Sequence, residues 1–216
     1  MLTVYAIPPS LYCAKLRILL RHKGIEWREV LPPGGYGSDE YKQIVASGNL
    51  PALSDGDLLI ADSEAIAEYL EEQYPEPAML PKDRGERAKV RELSRFHDTR
   101  LEPELRVLFA HVALERRDRV VAARQAQALN VRLAQLARLF ASRPVSPSML
   151  TSGDCGFPIT FAWIDLLTPL LELEIVWPAE VSAYRNLVQR HAAVAAELAA
   201  YRPVVAAWLV SRDTAP

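Results

Sequence analysis

Cysteine is scarce. The two residues, Cys13 and Cys155, lie far apart with neither a C-x-x-C pair nor a clustered histidine partner, so neither a disulfide framework nor a metal site is expected. An excess of charge of one sign is lacking too. Lys and Arg number 25 against 27 Asp and Glu, a formal net charge of −2, which removes the electrostatic case for nucleic acid or an anionic membrane surface as a partner. No apolar run approaches about 18 residues, and Met1-Leu2-Thr3-Val4-Tyr5 enters a strand-like pattern with no basic region before it. The expectation is a cytoplasmic protein with no membrane partner. No helical repeat of fixed period occurs, which argues against a solenoid. Apolar residues are plentiful, half of the 216, enough for one compact domain or two small ones.

The most informative stretch is Asn49 to Ile66. Leu50 precedes Pro51 and is pushed out of the helical region, which leaves an extended backbone edge with its N–H and C=O pointing sideways. A strand, a turn at Asp55-Gly56-Asp57 and a second strand follow. Asp62 and Ser63 then stand before Glu64 to Tyr74, whose Ile66, Ala67 and Leu70 fall at helical spacing, with Ser63 as the expected N-cap. A helix mouth favours anions. The combination suits a small ligand carrying both a backbone-like amide and a carboxylate.

Upstream, Leu2 to Ile7 is a β-rich run stopped by Pro8-Pro9-Ser10. From Leu11 to Lys23 the residues Tyr12, Leu16, Leu19 and Leu20 recur at helical steps, with Lys15, Arg17, Arg21, His22 and Lys23 on the polar side. Gly24 is placed as a C-cap. Ile25 to Leu31 alternates as a strand, Gly34 to Gly37 is a loop, and Asp39 to Ala46 a short helix. The order is β-α-β-α-β-β-α, and its last strand pair must be a hairpin because Ser54 to Asp57 is too short for a parallel crossover.

Three prolines between Pro75 and Pro81 mark a linker, and no convincing strand follows. Helical patterns cover Arg84 to Leu114, interrupted by Pro103, then Val120 to Phe140, Ser182 to His191 and Ala195 to Leu209. Thr160 to Leu173 is apolar nearly all round and reads as a central buried helix. Arg143 to Ser148 separates it from the helix before. The expected organisation is an α/β domain over 1–75, a linker over 76–85 and an all-helical domain over 86–216.

The element order, the Leu-Pro pair before the third strand, Asp62-Ser63-Glu64-Ala65-Ile66-Ala67-Glu68-Tyr69-Leu70 after the fourth and the helical second domain resemble the cytosolic glutathione transferase superfamily. The resemblance implies a thioredoxin-like first domain with Pro51 held cis. It implies glutathione as co-substrate: its cysteinyl amide on residue 50, its γ-glutamyl carboxylate at Ser63 and its ammonium at Asp62. Asn49 stands where many members place a basic or amide side chain. A small apolar electrophile would lie between the domains near Tyr12, Phe96, Thr99 and Arg106, with Arg95 and Asp98 close by and Trp208 and Tyr201 covering it. A homodimer is also implied.

Activation of the thiol requires stabilising the thiolate. A free thiol titrates near ~8.5, and lowering it by two units takes ~3 kcal/mol. Ser10 is the first choice for that task, since zeta- and tau-like classes carry a serine seven residues before an arginine that matches Arg17. Cys13 is the rival: a helix N-terminus with Lys15 and Arg17 nearby would lower its pKa and favour thiol exchange. A third reading, the non-catalytic stringent-starvation type, uses the same fold as an interaction platform. One departure concerns the capping box expected at the central helix: Thr160 is followed by Trp163, and Asp165 comes two residues late. Asp165 itself, in so apolar a run, must find a partner.

Overall fold

The computed structural model describes residues 1–142 and 149–213. The expected Arg143 to Ser148 separator lies outside the described residues. Four strands, β1 (Leu2–Tyr5), β2 (Trp27–Val30), β3 (Ala52–Asp55) and β4 (Leu58–Ala61), form a sheet in the order β2-β1-β3-β4. β1 and β2 are parallel, joined by the crossover helix α1 (Leu11–Lys23), while β3 lies antiparallel to both β1 and β4. α2 (Asp39–Lys42) is a single turn, and α3 (Ser63–Gln73) follows β4. This is the expected thioredoxin-like arrangement, and the Leu50–Pro51 bond is cis.

Sequence chemistry accounts for the ends of α1. The Oγ of Ser10 accepts the N–H of Cys13 at 3.3 Å. At the other end Gly24 adopts φ 64°, and Gly24 N–H to Arg21 O and Ile25 N–H to Leu20 O make a Schellman motif. Two of the residues assigned to the polar side of α1, Lys15 and Lys23, are buried at 3% and 7% exposure. Lys23 explains how the proline-rich segment is held. Its Nζ bonds the carbonyls of Tyr74 and Pro77 and pairs with Glu71 at 2.7 Å, and Glu71 accepts the N–H groups of Met79 and Leu80.

The second half is helical: α4 (Arg84–Phe96), α5 (Glu102–Val107), α6 (Arg119–Ser142), α7 (Phe157–Leu171), α8 (Ala179–Val188) and α9 (Ala192–Asp213). The interruption expected within Arg84 to Leu114 is present, but it begins ahead of Pro103. Between α4 and α5 runs a π-helical turn, His97–Leu101, closed by Glu102 N–H to His97 O, and α5 passes into a 3₁₀ turn at Leu108–His111. Pro103 sits in the first turn of α5, where its missing N–H costs least. α7 is buried almost all round, and Asp165 on it is paired with Arg185 and, at 3.3 Å, with Arg202. α9 is long and apolar enough to cross a membrane by length and composition alone. It is packed instead: Val194, Leu198, Tyr201, Val205 and Leu209 are buried, and Glu197 on it pairs with Arg17 and Arg21 of α1.

The capping box before α7 lies nine residues upstream of the place first assigned to it. Thr151 N–H and Oγ1–H both donate to Asp154 Oδ2, at 2.9 and 2.6 Å, and the Tyr184 hydroxyl donates to Asp154 Oδ1 at 3.0 Å. The box closes a 3₁₀ turn, Ser152–Asp154, rather than the first turn of α7 itself. Asp154→Ala would leave three buried donors without this acceptor and is expected to cost on the order of 3 kcal/mol. Urea denaturation checks it, and a loss below about 1 kcal/mol would contradict this assignment.

Candidate active site

A cleft of about 1020 Å³ lies between the sheet half and the helical half. From the first half it is lined by the turn after β1 with Ser10 and Tyr12, by Asn49 and Leu50, and by Asp62 and Ser63. α4, the π-helical turn and α5 contribute Arg95, Asp98, Thr99, Glu102 and Arg106, and Phe109, Trp163, Trp208 and Arg212 close the far side.

Ser10 caps α1 with a lone pair of Oγ, and its side chain lines the cleft beside the Cys13 thiol, with which it also shares a hydrogen bond. Its turn is fastened from below. The Tyr201 hydroxyl donates to Pro9 O at 2.7 Å and accepts the indole N–H of Trp163 at 2.8 Å. Arg17 reaches Ile7 O at 3.5 Å. Tyr201 therefore supports the cleft floor and does not cover the opening, a correction that follows from its burial at 2% exposure.

Around the cis proline, the hydroxyl of Tyr41 donates to Asn49 O at 3.0 Å. Among the described residues no group hydrogen-bonds the N–H or C=O of Leu50, so this backbone is an open edge in the cleft wall. The cap of α3 differs from expectation: it is Asp62, not Ser63. Asp62 Oδ1 accepts the N–H groups of Glu64 and Ala65 at 2.9 and 3.1 Å, and Oδ2 is left free. That cap requires Asp62 at φ 106°, a conformation that costs a side chain roughly 1–3 kcal/mol. Ser63 becomes the first helical residue, its Oγ 3.5 Å from Lys15 Nζ.

Lys15 is the group that sequence reasoning missed. Its ammonium lies 2.5 Å from Glu64 of α3 and 2.8 Å from Asp98 of the π-helical turn. His97 Nδ1–H donates to Asp98 Oδ1 at 2.6 Å, while His97 Nε2 shares a hydrogen bond with Thr160 Oγ1 at 2.7 Å. Burial opposes charge on Lys15, yet Asp98 and Glu64 outweigh it and raise its pKa. Burial likewise opposes charge on Asp98, but the hydrogen bond from His97 and the Lys15 ammonium prevail and hold its carboxyl at about 2.

Tyr12 lines the cleft, as expected, with its hydroxyl donated to Glu102 Oε2 at 3.2 Å. Burial, then Glu102 and Asp98, push its pKa well above the ordinary phenol value. Cys13, the rival to Ser10, does not have the lowered pKa that its reading required. Its sulfur faces the core at 1% exposure, and burial raises the thiol pKa despite the hydrogen bond with Ser10 and the charge of Arg17. The helix N-terminus is near, but the side chain points away from the solvent that a reactive thiolate needs. Phe96 packs against the core and does not line the cleft: Arg95, Asp98, Thr99 and Glu102 recur at three- and four-residue steps on the cleft side, and Phe96 falls off that row.

Residues 4–78 match the family model described as glutathione S-transferase, N-terminal domain. Glutathione S-transferase Z1 of Arabidopsis thaliana is 40% identical over 90 residues, which cover 40% of this chain and 41% of that protein. A stringent starvation protein A homologue of Pasteurella multocida is 31% identical over 80 residues, 37% of this chain and 38% of that one. These matches span about two fifths of the relatives' length. Across both halves, the solved holo structure of maleyl pyruvate isomerase, a bacterial zeta-class glutathione S-transferase, superposes with a TM-score of 0.75 at 22% identity, covering 90% of this chain and 95% of that one. The fold is thus that of a thioredoxin-like domain with a helical partner. The family model reaches the sheet half only, and the likeness to the solved structures shows the fold of the whole.

The Asp98 carboxyl carries a pH dependence. Its folded pKa lies below the usual ~3.9, so its contribution is complete above about pH 4 and is lost as the pH falls towards 2. Wild type is expected to exceed Asp98→Asn in stability by roughly 2 kcal/mol near neutrality, with the difference shrinking across that window. Urea midpoints at pH 7, 4 and 2.5 read it, and a pH-independent difference would contradict the assignment.

Proposed function

We infer that this protein binds glutathione in the cleft and presents its thiolate to an electrophile. The observation that carries this reading is the gathering on one wall of the open Leu50 backbone, the free Oδ2 of Asp62, Ser63 at the start of α3 and the Ser10 hydroxyl. A γ-glutamyl peptide has the matching groups. Its cysteinyl amide pairs with Leu50, its ammonium meets Asp62, and its α-carboxylate meets the Ser63 hydroxyl and the N-terminal dipole of α3. Asn49 adds a neutral hydrogen-bonding group near the glycyl end.

The sulfur then lies towards Ser10. The hydroxyl donates to it, and the N-terminus of α1 behind Ser10 adds positive potential, so the thiol proton passes to solvent and the thiolate remains. Attack on an aryl or alkyl halide completes a transfer, whereas reversible addition to a double bond would support isomerisation. Both share this first step. Cys13, buried in the core, does not serve a thiol-exchange route in this reading. A purely non-catalytic platform, of the kind the stringent-starvation resemblance raises, has no use for a cleft-lining serine hydroxyl at this position. A homodimer is part of the same proposal.

Calorimetric titration with glutathione tests binding. Ser63→Ala is expected to weaken affinity by about tenfold, or ~1.4 kcal/mol. Ser10→Ala should bind nearly as well but lose about 100-fold or more in kcat with 1-chloro-2,4-dinitrobenzene, while Cys13→Ala keeps turnover. Absence of heat from the wild-type protein at millimolar glutathione would overturn the reading.

A further inference from the structure

The electrophile side of the cleft carries charges that a purely apolar substrate leaves unused. Arg95, Arg106 and Arg212 line it, facing Asp98 and Glu102. Both carboxylates are engaged: Asp98 by Lys15 and His97, Glu102 by the Tyr12 hydroxyl and by Arg106 at 2.5 Å. Asp62, on the opposite wall, caps α3. Among the described residues neither Arg95 nor Arg212 has a carboxylate partner. The Arg212 guanidinium lies 5.4 Å from the ring centre of Trp208. That ring belongs to an aromatic wall, with Phe109 4.5 Å from Trp163 and Trp208 5.6 Å from Trp163.

An aromatic wall bordered by unpaired guanidinium groups matches a planar body with an acidic group. We propose that the second substrate is an aromatic electrophile bearing a carboxylate, its ring on Trp208 and Phe109 and its acid group taken by Arg95 and Arg212. The inference rests on the glutathione-dependent reading above. Guanidinium groups pair with carboxylates through charge-assisted, planar contacts, and because both arginines are exposed the preference should weaken with salt. With an aryl chloride of this class, the glutathione thiolate forms the carbon–sulfur bond. Chloride leaves with its bonding electrons, and the thiol proton has gone to solvent.

The test compares 4-chloro-3,5-dinitrobenzoate with its methyl ester, each kcat/KM divided by the uncatalysed rate with glutathione. The acid should be favoured by about tenfold at low salt, and Arg95→Gln/Arg212→Gln should bring the ratio to about one. Calorimetry with 3,5-dinitrobenzoate and its ester, which have no leaving group, reads the same preference without glutathione. An acid favoured in both measurements supports the proposal. An ester equal or better in either, or a double variant whose main defect is weaker glutathione binding, overturns it. If glutathione itself gives no heat, the reading underneath has failed, and the dinitrobenzoate titration still reports separately on the anion site.

Discussion

The buried ammonium of Lys15 is the interaction on which the cleft depends. It touches three elements at once: α1, which carries it; α3, through Glu64; and the π-helical turn, through Asp98. Desolvating one such charge costs several kcal/mol, and the two carboxylates offset that cost only while they stay within contact distance. The network is therefore weak evidence for net stability but strong evidence for geometry. Removing one carboxylate leaves the ammonium a single partner, at roughly 2 kcal/mol for Asp98, and removing Lys15 leaves both carboxylates without their cation, at about 3–5 kcal/mol, so the two halves of the cleft are held to one spacing. Ser63 Oγ lies at the edge of this network, which ties the cleft-lining start of α3 to the helical half.

The π-helical turn is the second constraint, and it shows why part of the cleft was hidden in the sequence. Periodicity revealed the helices on either side, and Pro103 announced a break. Apolar spacing cannot say whether such a break is a kink, a gap or one extra residue in a turn. Asp98 within that turn and Glu102 just after it meet Lys15 and Tyr12 of α1, while Phe96 before it packs against the core. Local chemistry was more legible. The strand order, the hairpin, Gly24 and the Leu50–Pro51 edge each follow from short-range sterics that single residues declare.

Where the reading shifted, two local groups competed for one task. Asp62 and Ser63 are both good caps, and the carboxylate took the role because from a left-handed backbone it reaches the N–H groups of residues 64 and 65 together. Thr151 and Asp154 form a capping box in a turn too short to show periodicity. Lys15 looked like the solvated face of α1 because a lysine at that step usually is, and only the approach of α3 and the π-helical turn buries it. Arg95 is already expected near the cleft, whereas Arg212 has no sequence signal: it joins Arg95 there because α9 returns across α1 from the far end of the chain.

That return also bears on Ser10. In the proposed role the Ser10 hydroxyl needs a turn with few alternatives, and Pro8 and Pro9 restrict this one without fixing it. The rest comes from α9 and α7. Tyr201 holds Pro9 O while Trp163, itself part of the aromatic wall, holds the Tyr201 hydroxyl. Two successive hydrogen bonds therefore run from the electrophile side of the cleft to the residue before the serine. The bond from Trp163 is buried and the one to Pro9 partly so, which makes exchange for water costly. The helical half does more than line the cleft: it supports the turn that carries the Ser10 hydroxyl in the first half. Folding the thioredoxin-like half without α7 and α9 would leave the Pro8-Pro9-Ser10 turn unsupported from below, which gives a physical reason for the two halves to share one chain.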